Sequence, residues 1–170
     1  MKMIGALLIL LASTAIGRLY AMRYRDRPRE LRQLRTALVS LETEIAYGLA
    51  PIGDAARRLA EQLPDPGKAF FTLFSDRLSQ SDAPLSEVWR KTLDDIWPTT
   101  ALKKTEKGIM AQFGATLGLS DRENQQKQIQ LALAHLEREE IEAREAQKQY
   151  EKLFNSLGFL AGLLLAILLF

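Results

Sequence analysis

The groups in this chain that could do chemistry are few and poorly matched. His135 is the single histidine, and it stands in His135-Leu136-Glu137, the first half of a zinc deaminase signature. The second half of that signature is a pair of thiolates, and the chain has no cysteine. A two-histidine zinc helix is equally out of reach. Asp94-Asp95 and Glu139-Glu140 are carboxylate pairs in sequence, but adjacent residues on a helix do not face each other. Ser120-Asp121-Arg122-Glu123 sets a hydroxyl beside an acid. It reads better as a helix start, with Ser120 as N-cap and Glu123 closing a capping box over orphan N–H groups. No glycine-rich phosphate loop occurs. The expectation is a protein with no catalytic residue, no metal site and no cofactor.

The charges are distributed more informatively. Of 23 Lys and Arg and 21 Asp and Glu, only Lys2 and Arg18 lie outside residues 23–152. Both ends are apolar. Residues 4–22 come close to the roughly 20 needed to cross a bilayer, with Arg18 reaching to the interface and Tyr20 and Tyr24 at headgroup depth. Residues 153–170 carry no charge, and leucines cover all faces of the segment. Ser13 with Gly17, and Gly158 with Gly162, are small-xxx-small pairs that let apolar helices approach closely. A cleaved signal peptide competes for the first segment, since small residues at Ser13-Thr14-Ala15 follow an apolar run. Against it stand Arg23, Arg25, Arg27, Arg29, Arg32 and Arg35 at the exit, because such basic flanks stay on the cytoplasmic side. The expected organisation is an N-terminal transmembrane helix over 1–22, a cytoplasmic domain over 23–152 and a C-terminal transmembrane helix over 153–170. The near-neutral middle argues against nucleic acid as a partner.

The middle shows helical periodicity throughout, so the fold class is all-α, a six-helix bundle flanked by the two spans. The first helix is expected over 27–49 with Pro28 in its first turn and a seam of Leu31, Leu34, Leu38, Leu41, Ile45 and Gly48. Further helices follow over about 51–63, 68–80, 85–97 and 102–117. Their breaks are Pro51, Pro64-Asp65-Pro66-Gly67, Ser81-Asp82-Ala83-Pro84, Pro98 and Gly118. The last helix has no Gly or Pro between Ser120 and Gly158. Its seam of Ile129, Ala132, Leu136, Glu139, Ala143, Ala146 and Tyr150 runs on to Leu153 and Leu157. One continuous rod into the bilayer is expected. Glu139 is out of place on that seam, which suggests exposure to solvent or to a partner.

Three stretches carry a family resemblance. They are Arg32-Gln33-Leu34-Arg35 with Glu44-Ile45-Ala46-Tyr47-Gly48, then Phe113-Gly114-Ala115-Thr116-Leu117-Gly118 followed by Ser120-Asp121-Arg122 and Gln125-Gln126-Lys127, and finally the run Ser156-Leu157-Gly158-Phe159-Leu160-Ala161-Gly162-Leu163-Leu164-Leu165. In this order, with both apolar ends, the chain resembles the stage III sporulation protein AB family. The resemblance implies a non-enzymatic membrane protein of the sporulating mother cell, facing the forespore, within a secretion-like channel. It also implies a cytoplasmic domain similar to the F-type platform of type II secretion. The implied partners are a secretion-type ATPase, stage III sporulation protein AA, and other channel components, besides the lipid bilayer. Homo-oligomerisation is left open.

The residues offer two charged surfaces for such partners: Arg29, Arg32 and Arg35 early in the first helix, and the acidic band Glu137, Glu139, Glu140, Glu142 and Glu145. The competing reading of the band is a solvated face laced with pairs such as Glu140–Arg144, and routine exposed pairs of this kind favour it.

Overall fold

The computed structural model describes the backbone of residues 2–47, 51–118 and 122–169, and the side chains of 22–45, 51–118, 123–150 and Leu153. Among these residues all regular structure is helical: α1 (Lys2–Tyr47), α2 (Ile52–Gln62), α3 (Gly67–Gln80), α4 (Leu85–Ile96), α5 (Lys104–Thr116) and α6 (Arg122–Leu169), with one 3₁₀ turn at Trp97–Thr99. The breaks fall where the punctuation puts them. Pro51, Pro66 and Pro84 stand immediately before α2, α3 and α4, where the missing N–H costs nothing. Gly118 takes φ +76 after α5, a conformation that favours glycine. The Ser120 cap lies outside the described residues.

The first helix differs from expectation. The N-terminal segment and the first bundle helix are one 46-residue element, with Pro28 inside it rather than in its first turn. Proline there leaves the Tyr24 carbonyl without its helical donor, at a cost of about 3 kcal/mol. No glycine or asparagine stop signal lies between Met22 and Pro28, and the Pro28 ring is buried. Packing on both sides of Pro28 therefore carries the helix across it. Among the described residues no helix is long and apolar enough to cross a membrane. The spans expected over 4–22 and 153–170 fall on residues whose side chains, apart from Met22 and Leu153, lie outside the described set.

Helices α1 and α6 run antiparallel along each other. Tyr24 stacks on Tyr150 with ring centroids 3.9 Å apart, Arg35 meets Glu137 and Glu140, and Gln130 donates to Glu42 at 2.7 Å. Partner numbers in these three contacts total close to 172, so the register holds over some 18 residues of each helix. Leu31, Leu34, Ala37, Leu38 and Leu41 of α1 are buried against Ile129, Ala132, Leu136 and Ala143 of α6 and the shorter helices. Ile45 and Ala146 are half-buried.

The shorter helices form a head around Trp89, which is fully buried. Its ring meets Phe70, Phe74 and Phe113 edge-on at 4.8, 5.1 and 5.4 Å. Its indole N–H donates to the Met110 carbonyl of α5 at 2.9 Å. The ring can lie this close to the α5 backbone because residue 114 is glycine. A Cβ there would stand 1.9 Å from Trp89 Cδ1.

Candidate functional site

The densest polar cluster lies where α5 and α6 close on α1. Arg27 and Glu106 are both buried, at 5 % and 0 % exposure. The Arg27 Nε donates to Glu106 Oε1 at 2.7 Å, and Nη2 donates to Glu139 Oε2 at 2.7 Å. Glu142 approaches Nη1 at 3.5 Å and accepts from Lys103 Nζ at 3.1 Å. Glu106 is placed by its helix: three residues into α5, it accepts from the Lys103 N–H at 2.7 Å and satisfies an orphan donor of the first turn. Its other oxygen is then turned to Arg27. One guanidinium with five donors thus holds three carboxylates from two helices.

One turn further along, the charges are reversed. Glu140 is 2 % exposed and accepts from three arginines: Arg35 at 2.7 Å, Arg32 at 3.3 Å and Arg144 in the same helix. Burial would push its carboxyl up. The hydrogen bonds from Arg35, Arg144 and Arg32 outweigh that and hold it below the ordinary carboxylate value. The Lys103 ammonium likewise lowers Glu142, with Arg27 adding to the effect. Glu30 moves the other way. Half-buried, it is raised chiefly by desolvation and further by Asp26, although the Ala101 N–H that donates to it at 2.8 Å pulls it down.

The two charged surfaces read from the sequence are therefore brought together on each other. Arg32 and Arg35 pair with Glu137 and Glu140, while Glu139 and Glu142 pair with Arg27. Glu139 on the α6 seam is answered from within the chain, not by solvent. Glu140 does pair with Arg144, but as a buried group rather than on a solvated face. Arg29 and Glu145 are exposed and join no ion pair among the described residues. The side chains of Ser13, Gly17, Gly158 and Gly162 lie outside the described residues.

Arg27, Lys103 and Glu106 were not singled out by sequence reasoning, yet a signal was present. Arg27 sits four residues before Leu31, on the same heptad seam as the α1 leucines, just as Glu139 sits on the seam of α6. Two seams, each with one charge of opposite sign, predict that they face each other. Elsewhere the polar groups are those of an ordinary helical surface. His135 is exposed, as are Asp94 and Asp95, which pair with Lys107 and Arg77. Among the described residues no group of three or more His, Cys, Asp and Glu could hold a metal ion.

Comparison with known proteins finds relatives of this chain in sequence and in structure. The family model described as stage III sporulation protein AB matches residues 2–170. The stage III sporulation protein AB of Bacillus subtilis (strain 168) is 47 % identical over 169 residues, covering 99 % of each chain. A solved structure of a stage III sporulation protein AB superimposes with a TM-score of 0.70 at 46 % identity, covering 73 % of this chain and 98 % of the solved one.

Proposed function

Because the chain belongs to the stage III sporulation protein AB family, we propose that it is a non-enzymatic membrane platform with a role in sporulation. In this reading it is a scaffold component of a secretion-like channel between mother cell and forespore. Residues 4–22 and 153–170 lie in the mother-cell membrane, and the head and charged seam lie in the cytoplasm. There they couple a secretion-type ATPase, stage III sporulation protein AA, to the membrane complex.

The observation that carries this reading is the α1–α6 pair. Two antiparallel helices of 46 and 48 residues are joined through buried charge networks, and their backbone remains helical into both apolar ends. At about 1.5 Å per residue α6 is about 70 Å long. A push on the head would reach the bilayer as tilt or rotation of one stalk, because neither helix can move without breaking Arg27 or Glu140 from its partners. The α1 seam, continued at heptad spacing from Tyr24, passes through Tyr20, Gly17 and Ser13. Small residues at that spacing are what close packing of the two proposed spans would require.

Sidedness tests the topology. Reporter fusions at residue 1 and within 64–67 should fall on opposite sides of the membrane, and identical labelling of both would end the platform reading. Coupling is tested by co-purification in detergent with stage III sporulation protein AA. Contacts are sought among residues that join no ion pair among the described residues, so Arg29→Glu with Glu145→Lys should weaken recovery at least tenfold with helicity unchanged. Equal recovery would remove this face as the docking surface.

A further inference from the structure

Alongside the charged seam, toward the apolar ends, an open groove of about 540 Å³ runs over the surface of α1 and α6. Arg25, Asp26, Arg29 and Arg32 line it from α1, and Arg144 and Lys148 from α6. Five cations therefore face one carboxylate. Arg32 and Arg144, both exposed, each reach the buried Glu140. Arg25, Arg29 and Lys148 are exposed and join no ion pair among the described residues. Lys68, Arg90, Lys104 and Arg138 elsewhere are likewise exposed and join no ion pair among the described residues; what sets this groove apart is that five cations converge on it from two helices.

We propose that this groove binds the phosphodiester of an anionic phospholipid headgroup. The inference rests on the membrane reading above. Arg25 lies three residues beyond the first apolar segment, and Lys148 five residues before the second. At about 1.5 Å per residue Arg25 and Lys148 stand roughly 5–8 Å from the hydrocarbon edge, the depth of lipid phosphates, with Arg29, Arg144 and Arg32 about 10–15 Å out along the same groove. Arginine forks suit the two free oxygens of a phosphodiester. Arg32 and Arg144 hold positive charge beside the groove before any lipid arrives, since Arg32, Arg35 and Arg144 together meet only Glu140 and Glu137. A basic pocket between two helices at the cytoplasmic boundary is the usual form of such a site. A headgroup clamped here would touch both helices at once and fix the stalk against the membrane surface.

The full-length protein in detergent micelles provides the test. Its thermal unfolding midpoint is followed as dioleoylphosphatidylglycerol, dioleoylphosphatidylcholine or inorganic phosphate is added. Phosphatidylglycerol should raise the midpoint saturably, while the other two should not. Each of Arg25→Gln, Arg29→Gln and Lys148→Gln should weaken the apparent lipid affinity about fivefold, and the triple variant about 100-fold. Equal affinity in the triple variant, or equal response to phosphatidylcholine, would overturn the site. A full response to inorganic phosphate alone would make it a free-anion site and overturn the lipid assignment. Lys148→Gln, a single exposed change, carries the comparison if the triple variant folds poorly. A carbonate wash of native membranes separates the two readings. Protein released to the supernatant ends the membrane reading, whereas protein kept in the pellet without preference for phosphatidylglycerol ends this one alone.

Discussion

Arg27 holds three carboxylates that would otherwise repel one another inside the bundle, and its removal is expected to be costly. Arg27→Met should destabilise the protein by about 3–5 kcal/mol, because Glu106 is left buried without a cation. Adding Glu106→Gln keeps an acceptor for the Lys103 amide and should recover at least half of that loss, as read by denaturant unfolding. No recovery would mean that packing, not charge, sets the cost. Glu140 makes a prediction in pH. Its carboxyl is lowered in the folded state, so its ionised form stabilises the fold above the ordinary value of 4.5 and loses that contribution as pH falls below it. Glu142 has the same sign, whereas the raised Glu30 is relieved on protonation and opposes them. Unfolding midpoints should rise slightly as pH falls toward 4.5, by the Glu30 contribution, and then drop below it. Glu140→Gln should lower the maximum and flatten the drop, and a parallel curve would refute the assignment. Gly114→Ala forces a methyl into the Trp89 ring. A loss of about 3 kcal/mol or more is expected, the upper end for overpacking, and under 1 kcal/mol would mean that the head repacks freely.

At the scale of elements, α1 is the informative one. A proline within its hydrogen-bonded run is tolerated because α6 and the head bury both flanks, so tertiary contact overrides a local break. Pro28→Ala restores the missing N–H and removes a buried ring. The gain in helix propensity exceeds the lost apolar contact, so a net stabilisation of about 1 kcal/mol is expected by thermal unfolding. A loss of that size would show that the ring's packing dominates. The helix starts of α2, α3 and α4 differ from α1 in that each proline precedes the first helical residue and acts as punctuation. The same residue type thus starts three helices and is carried inside a fourth, depending on what packs around it.

For the whole molecule, the question is whether the stalk acts as one body. The absence of cysteine makes this directly testable. Tyr24→Cys with Tyr150→Cys places two thiols across the α1–α6 seam, where the rings stack. A short bismaleimide should join them almost completely in native membranes, in resting and in sporulating cells alike. Joining lost during sporulation would indicate a stalk that opens, contrary to a rigid platform.

Most of the architecture was legible along the chain. Six helical segments follow from apolar residues at three- and four-residue spacing, and the loops at Pro51, 64–67, Pro84 and Gly118 follow from residues that cannot continue a helix. The leucine seam of α1 and the unbroken course of α6 were likewise visible, because periodicity is a local property. Three-dimensional packing decided what local rules leave open. It carried α1 through Pro28, and it turned the arginine cluster and the acidic band onto each other. It also made Glu106 the deepest carboxylate and Gly114 the seat of an indole. Each of these depends on which helix lies alongside, and a charge on a seam becomes a buried partner or an exposed contact only when the facing seam supplies the opposite sign at the same level.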